Sequence, residues 1–377
     1  MRQAIGIGFS RETDSLRATE LALQQAVKSS GPPVFTFLFC TDQYDAGEVF
    51  KAFKNTIPRS KMLGATVPGI IIGNNIFREG VGALTIFSPG IEVATHLQEG
   101  IGRNSFESGQ KAALEIKKQG VDAGTVFLLP DGLAANISGL LRGFYDLSED
   151  SYSYAGGGAG DNLKFYKAYQ FTEDGFAADA LAVALIKGLE FRVESGHGWN
   201  SIGESMMATR AEGKRLYELD GIPAFRKYSE ILGGINKQDF SYYGMKHPLG
   251  IPSRKGETLI RDPLSVNEDD SIVMVSEIPS NTMVMLMRGE TPSLISTAEE
   301  IARRASTGKS ASFALLFDCI SRYLLMDSYF IQELEAVRGQ LCPETPLFGI
   351  LSFGEVINRT GSPLFDNKSL VLAVGGA

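Results

Sequence analysis

Apolar and amphipathic stretches alternate along the chain in an order that occurs three times. Apolar residues three or four positions apart, as in the stretch SLRATELALQQAVKSS with Leu23 and Val27, predict helices. Runs of about five to eight β-branched and aromatic residues, such as PVFTFLF and TVFLLPDG, predict strands. Each copy reads strand, helix, strand, helix, strand and hairpin strand. The repeat indicates that one structural unit is used three times.

The three copies divide the chain into two predicted domains. Copies at about 1–89 and 90–190 begin with AIGIGFS and IEVATHLQEGIG, and together they form a domain over residues 1–190. The pattern then changes to short strands and turns, which we interpret as the start of a second domain over 191–377. The third copy, at about 282–377, begins with TMVMLMRGE and lies inside that domain.

The central strand of each copy is apolar without alternation: VFTFLF, TVFLLP and FALLF. Such runs indicate strands that are covered on both faces. Helices of the same unit cover one face, and a second sheet is the simplest cover for the other. We therefore predict an α/β fold with α+β character, in which repeated β-α-β-α-β-β units form layered sheets packed together with helices outside, as in an αββα sandwich.

Composition and net charge argue against several classes of binding partner. The chain has 377 residues, 44% of them hydrophobic, and a net charge of -8, without a basic run that would neutralise phosphates. We expect neither nucleic acid nor a membrane as a partner, and the short apolar run at the N-terminus predicts a cytoplasmic protein. Three widely spaced cysteines fit neither a disulfide framework nor a zinc site, and no metal is expected.

The glycine-rich stretch YAGGGAGDN could form a nucleotide-binding loop or the end of a strand. Gly156 and Gly158 fit the first two positions of a dinucleotide fingerprint, but Asp161 replaces the third glycine and a strand-like segment follows. The stretch aligns with LGATVPGII and FGILSFGEV of the other copies, which predicts a strand end. Gly157 and Gly158 either permit a bulge or let a ligand approach the backbone.

Acidic residues follow the central strands of the last two copies. Asp131 in LLPDG and Asp318 in LLFDC appear at corresponding places, and the partner segments end in Asp161 and Glu355. Pockets of layered α/β folds are usually found at strand ends, so these carboxylates are candidates for ligand contacts.

Other candidates each have two interpretations. Cys319 beside Arg322 is either an activated thiol or a buried cysteine. Arg210 and Arg261 either clamp a ligand carboxylate or form ion pairs between domains. His197, near the single tryptophan, either ligates haem or holds a loop.

Four segments carry a resemblance to a known family. They are GGGAGDN, ATRAEGKRLYELDGIPAFRKY, the long stretch from HPLGIPSRKG to NTMVMLMRG, and FGILSFGEV. In these the chain resembles the FIST family, with paired FIST N and FIST C domains. Where FIST N domains often carry a Cys and a Gly-Glu-Ile, this chain has Ala65, Pro68 and Gly69, whereas the third copy keeps Gly-Glu-Val at 354–356.

The resemblance implies a sensory, ligand-binding module of bacterial signalling that recognises small molecules such as amino acids, with no catalytic activity and no cofactor. The partner would be a histidine kinase or another signalling protein. Two alternatives stay open, a haem-based nitric oxide sensor with His197 as ligand, and an enzyme with Cys319 as nucleophile. The candidate ligand-binding residues are Asp131, Gly157, Gly158, Asp161, Arg210, Arg261, Asp318, Cys319, Arg322 and Glu355.

Overall fold

Three α/β units and one inserted module make up the protein. The computed structural model describes residues 4–27, 31–88, 90–148, 152–252, 258–306, 311–359 and 361–376. The first unit contains β1 (Ala4–Ser10), α1 (Ser15–Ala26), β2 (Phe35–Cys40), α2 (Ala46–Thr56), β3 (Lys61–Thr66), β4 (Gly69–Ile72), β5 (Asn75–Phe77) and β6 (Val81–Phe87). The second contains β7 (Glu92–Glu99), α3 (Ser105–Lys117), β8 (Gly124–Pro130), α4 (Ile137–Asp146), β9 (Tyr152–Gly157), β10 (Gln170–Thr172), β11 (Gly175–Ala177) and β12 (Ala180–Lys187).

The third unit is split by the module. It begins with β13 (Phe191–Gly196). The module contains β14 (Asn200–Ala208), β15 (Arg210–Glu212), β16 (Arg215–Leu219), β17 (Ile222–Pro223), α5 (Ala224–Ile231), α6 (Phe240–Lys246), β18 (Leu249–Pro252), β19 (Thr258–Arg261), β20 (Pro263–Val266), β21 (Ile272–Met274) and β22 (Thr282–Arg288). The unit resumes with α7 (Thr291–Ser306), β23 (Phe313–Cys319), α8 (Ile320–Met326), α9 (Phe330–Gly339), β24 (Leu347–Ser352), β25 (Glu355–Arg359), β26 (Ser362–Asp366) and β27 (Leu370–Gly375).

The first two units show why the sequence forms these helices. Each helix there begins after an Asp or Asn whose side chain accepts a backbone N–H of the first turn, namely Asp14, Asp45, Asn104 and Asn136. The central strands β2 and β23 are buried along their whole length, as their continuous apolar runs predict. Within the described ranges, no helix has both the length and the apolar character to cross a membrane.

Each unit arranges four strands in the same order and lends a hairpin to another unit. The orders are β1-β6-β2-β3, β7-β12-β8-β9 and β13-β27-β23-β24. The hairpin β4–β5 extends the third sheet at β24, β10–β11 extends the first at β3, and β25–β26 extends the second at β9. Each sheet therefore has six strands, and the exchange closes the three units into a ring.

The inner faces of the three sheets pack against one another at the centre of the ring. Phe127 of the second sheet contacts Phe37 of the first and Phe317 of the third, with ring centroids 5.2 Å and 6.4 Å apart. Helices cover the outer faces. This confirms the predicted α/β class with sheets inside and helices outside. Each inner face is covered by the two other sheets instead of by a single second sheet.

The inserted module separates β13 from α7 and has its own core around Leu216, Phe225 and Tyr228. Its two sheets are β14-β22-β18-β19 and β15-β16-β21-β20, with β17 beside β16. The segment predicted to start the third copy is β22, which pairs with β14 and β18, whereas β13 occupies the first-strand position beside β27. The predicted start of the third copy is therefore wrong, because both segments read locally as strands. The division at residue 190 stays a prediction.

Candidate functional site

A cavity of about 340 Å³ lies where the inserted module meets the second and third units. Its wall combines the loops after β8, β9 and β24 with the β15–β16 turn, α6, the β20–β21 pair and the first turn of α8. Most lining side chains are apolar: Leu133, Leu163, Phe165, Met245, Pro263, Leu264, Val273, Met274, Val275, Ile320, Leu324 and Phe353. The volume lies at the lower end of the range of small-molecule sites.

One end of the cavity is polar and already internally paired. The Asp262 carboxylate oxygen Oδ2 accepts a hydrogen bond from Ser321 Oγ at 2.8 Å and lies 3.0 Å from Lys368 Nζ. The Asp262 N–H donates to Asn367 Oδ1 at 3.3 Å. Lys368 is fully buried and has a left-handed backbone, with φ of 56°. The negative charge of Asp262 is therefore balanced within the fold.

A cation lines the cavity without a close counter-ion. Lys214, in the turn between β15 and β16, is half-buried, and its Nζ donates to the Leu133 carbonyl at 3.4 Å. In the part of the chain that the structure describes, no carboxylate lies within ion-pair distance of this ammonium group. Burial lowers the pKa of Lys214, while Glu277 and Asp131 oppose that shift. The ammonium group therefore has no direct counter-ion among the described residues, and the Glu277 and Asp131 carboxylates act on it from beyond ion-pair distance.

Of the predicted ligand-binding residues, Cys319 alone lies in the described wall of this cavity. Burial first, and then the nearby Glu355, raise the pKa of its thiol far above the usual value. A thiol that stays protonated at neutral pH lacks the activation that a cysteine nucleophile requires. The geometry therefore favours the buried cysteine over the nucleophile.

Arg322 follows Ser321 in α8 but lies outside the cavity and is fully buried. Its Nε and Nη2 donate to the two carboxylate oxygens of Glu333 at 3.1 Å and 2.5 Å. The remaining donors reach the backbone carbonyls of His197, Lys368 and Leu294. All sides of the guanidinium are occupied, so Arg322 joins β13, α7, α9 and the loop before β27.

Asp318 lies beside this ion pair. Its Oδ1 is 3.4 Å from Arg322 Nε, yet no donor among the described residues reaches either oxygen with hydrogen-bond geometry. Burial, followed by the charge of Glu333, raises the pKa of Asp318 well above its usual value. The raised pKa favours the protonated form of Asp318, for which the Glu333 carboxylate is the hydrogen-bond partner.

Glu355 is also fully buried, at the start of β25. Its Oε1 lies 2.8 Å from Ser352 Oγ, and its Oε2 accepts hydrogen bonds from the N–H and the hydroxyl of Ser369 at 3.1 Å and 2.9 Å. Burial raises the pKa of Glu355 to about 8 despite these donors. The shift favours the protonated form in the folded protein, and the side chain fixes two loops beside the cavity.

The glycines of YAGGGAGDN permit a close approach of two backbones. The Gly158 N–H donates to the Gly354 carbonyl at 2.8 Å, and a Cβ at Gly158 would lie 2.3 Å from the Phe353 carbonyl oxygen. Gly157 pairs with Glu355 across β9 and β25. The glycines thus join the second unit to the loop that carries Phe353 into the cavity wall.

Asp161 shapes the next part of the same wall. Its two carboxylate oxygens accept four backbone N–H groups, those of residues 164–167, at 2.7 to 3.2 Å. Leu163 and Phe165, which line the cavity, have left-handed backbones with φ of 61° and 53°. The carboxylate is used entirely to hold this loop.

Replacing Asp161 by alanine should lower the free energy of unfolding by about 2–4 kcal/mol, because several N–H groups lose an acceptor. Urea unfolding measures the loss, and hydrogen exchange should become faster at the amides of residues 164–167. Asp161→Asn, which retains one acceptor oxygen, should be intermediate. Exposed Asp174→Ala is the control. Equal stability of the two alanine variants would show that the loop is held by other contacts.

The strand registers correct the predicted equivalence of the carboxylates. Asp131 lies beside Ala159 in the second unit, and Asp318 pairs with Leu351 in the third. If the two aspartates are aligned, Asp161 corresponds to Phe353, two positions before Glu355. The two predicted pairs of carboxylates therefore cannot both be equivalent. The physical reason is that continuous apolar runs lack the alternation that fixes a register.

The other predicted residues lie outside the cavity. The Asp131 carboxylate accepts the N–H groups of Leu133 and Asp179 at 3.0 Å and 3.1 Å, and burial raises its pKa. Arg210 is exposed on the module and pairs with Glu218. Arg261 is buried and donates to three backbone carbonyls, those of Ile260, Glu277 and Phe365. Asp131 and Arg261 thus fix loops and the module's attachment, whereas Arg210 forms an exposed ion pair across β15 and β16.

His197 is held as part of the fold. Its Nδ1 accepts the Trp199 N–H at 2.9 Å, and the backbone of Thr258 makes a further hydrogen bond to the ring. Burial lowers the pKa of His197 to about 4, so the ring is neutral. A haem ligand needs a free ring nitrogen. These contacts do not fit a haem site.

Sequence reasoning missed Lys214, Asp262, Ser321, Asn367 and Lys368. Asp262 follows Arg261 in LIRDP, and FDNKS places four polar residues directly before β27. A polar run before a buried strand is the signal that could have found the second group. Their convergence depends on the position of the inserted module.

Comparisons with known proteins match two domains along this chain. Residues 34–222 match the FIST N domain and residues 224–358 match the FIST C domain, and the cavity wall draws on both ranges. FIST domains are sensory domains. An uncharacterized protein of Methanocaldococcus jannaschii is 24% identical over 352 residues, which cover 83% of this chain and 67% of that relative.

Among solved structures, PurLQS from Thermotoga maritima aligns over 99% of this chain and 72% of that chain, at 11% identity and a TM-score of 0.23. This likeness carries no argument about fold or function. The two domain matches, in contrast, span most of the sequence. The chain therefore belongs to the FIST family, with a FIST N domain followed by a FIST C domain.

Proposed function

We propose that this protein is a sensory module that binds a small organic molecule in the cavity between its FIST N and FIST C regions. The observation that carries the proposal is that one cavity is lined by the second unit, the third unit and the inserted module. A ligand that prefers one packing of the module against the ring would shift the population toward that packing. A histidine kinase or another signalling protein would read the change.

The two alternatives have less support. His197 uses its ring nitrogens within the fold, and the Cys319 thiol is buried and protonated. Amino acids and related metabolites are the ligand class that membership in the family suggests. Small organic acids belong in the same screen, since Lys214 lines the cavity without a close counter-ion among the described residues.

The test is a thermal-shift screen of amino acids and small organic acids on the wild type and on Leu264→Trp. Leu264 lines the cavity and is 41% exposed, so a larger side chain fills the opening without entering the core. A ligand at one hundred times its Kd stabilises the folded state by about 2.7 kcal/mol. That stabilisation should disappear in Leu264→Trp.

Leu114→Trp is the matched control, because Leu114 is 44% exposed on α3, outside the cavity. It should retain the ligand response. A compound that stabilises Leu264→Trp as much as the wild type binds elsewhere and contradicts the proposed site. If no compound raises the Tm of the wild type, the proposal that the protein senses amino acids or small organic acids is contradicted.

A further inference from the structure

We propose that the ligand is a small carboxylic acid with an apolar body and no ammonium group. The inference rests on the proposed function and deepens it by naming the ligand class. The charged residues in the cavity wall indicate which charged groups a ligand can carry. Among the described residues that line the cavity, the Lys214 cation lacks a close counter-ion, whereas the Asp262 carboxylate is already balanced.

Lys214 supplies the site for the carboxylate. Its ammonium group is half-buried and, within the described ranges, donates a single long hydrogen bond of 3.4 Å to a neutral carbonyl oxygen. The attraction between an anion and a partly buried cation is stronger than that between an anion and an exposed cation, because less water screens the charges. An incoming carboxylate would therefore be stabilised at this position in the apolar cavity.

An α-ammonium group would find no equivalent partner. Asp262 is the carboxylate among the described lining residues, and its Oδ2 already has the Ser321 hydroxyl and the Lys368 ammonium group within 3.0 Å. The Cys319 thiol and the Asn367 side chain are neutral. Moving an unpaired ammonium group into such a cavity carries a large desolvation cost. The wall thus discriminates against a zwitterion.

The apolar part of the cavity wall indicates the size and chemistry of the rest of the ligand. Leu133, Leu163, Met245, Val273 and Phe353 present hydrocarbon or thioether groups to the cavity. A volume of about 340 Å³ accommodates roughly ten non-hydrogen atoms, at about 30 Å³ each. Octanoate and hydrocinnamate have this size and represent a linear and an aromatic body.

Isothermal titration calorimetry on the full chain tests the inference with two matched probe series. One series is octanoate, octanamide and α-aminooctanoate, and the other is hydrocinnamate, hydrocinnamide and phenylalanine. In at least one series the acid should bind roughly 10-fold or more tightly than its amide and its amino acid. Lys214→Met and Lys214→Gln should remove that preference. Lys227→Met, which changes a lysine paired with Asp220 on the same module, should keep it.

The outcomes separate the inference from the proposed function. Equal or tighter binding of the amino acid, or an acid preference that survives in both Lys214 variants, overturns the inference and leaves the cavity as a ligand site. Equal binding of acid and amide overturns it in the same way. If no probe of either series binds the wild type, the inference and the proposed site both fail.

Discussion

Replacing Arg322 by methionine should lower the free energy of unfolding by about 3–5 kcal/mol, because it leaves a buried carboxylate without its partner. Arg322 and Glu333 are both fully buried and joined by two hydrogen bonds. The substitution also removes the donor from three backbone carbonyls. The expected loss is structural, although sequence reasoning assigned Arg322 to a ligand.

Urea unfolding of the wild type and the variant measures this loss. The double variant Arg322→Met, Glu333→Met should recover part of it, because no buried charge is then left unpaired. Arg303→Met is the control, since that exposed arginine pairs, among the described residues, with Glu300 alone on the surface of α7, and it should change stability by less than about 1 kcal/mol. Similar stability of the Arg322 and Arg303 variants would show that the buried pair does not hold the third unit together.

The class of the fold could be predicted because its causes are local. Central strands such as VFTFLF are apolar on both faces, and their helices repeat apolar residues at helical spacing. The exchange of hairpins between units could not be predicted. The strands β4 and β10 are only 4 and 3 residues long, and their partners β24 and β3 are far away in sequence. Short strands carry too little pattern to specify a distant partner.

The sequence predicts roughly where the candidate site lies, but not which side chains face the cavity. The sequence indicates that the ends of β23 and β24 matter, and Cys319 and Phe353 do line the cavity. It does not reveal whether a buried acid faces a ligand or is satisfied by the fold. Asp161 holds a loop, Glu355 is hydrogen-bonded to Ser352 and Ser369, and burial raises the pKa values of both Asp318 and Glu355. Lys214, in a turn of alternating charges, reads as an ordinary surface lysine until the module is placed against Leu133.

Changing Glu355 to glutamine should make the free energy of unfolding less dependent on pH between 4.5 and about 8, the ordinary and the folded-state pKa values of this carboxyl group. In that interval the folded protein holds a proton on Glu355 that the unfolded chain has released. The contribution of Glu355 is therefore fully present below 4.5 and is lost as pH rises through about 8. The loss is on the order of a few kcal/mol.

Glutamine removes this titration while keeping the neutral contacts. In the protonated form of Glu355, its hydroxyl can donate to Ser352 Oγ, which itself donates to the Asp318 carbonyl at 3.2 Å, and Oε2 accepts from Ser369. The amide group of glutamine can form the same bonds. The variant should therefore match the wild type at acid pH and exceed it in alkaline solution.

Urea unfolding at a series of pH values gives the comparison between the two proteins. Burial also raises the pKa values of Asp318 and Asp366, which titrate in both proteins. Because both interact with Glu355, the difference between the two curves reports Glu355 together with its effect on these two neighbours. Glu335→Gln, an exposed change on α9, should follow the wild-type curve. If Glu355→Gln also follows that curve, Glu355 is ionised in the folded protein, and its hydrogen bonds to Ser352 and Ser369 outweigh the cost of burial.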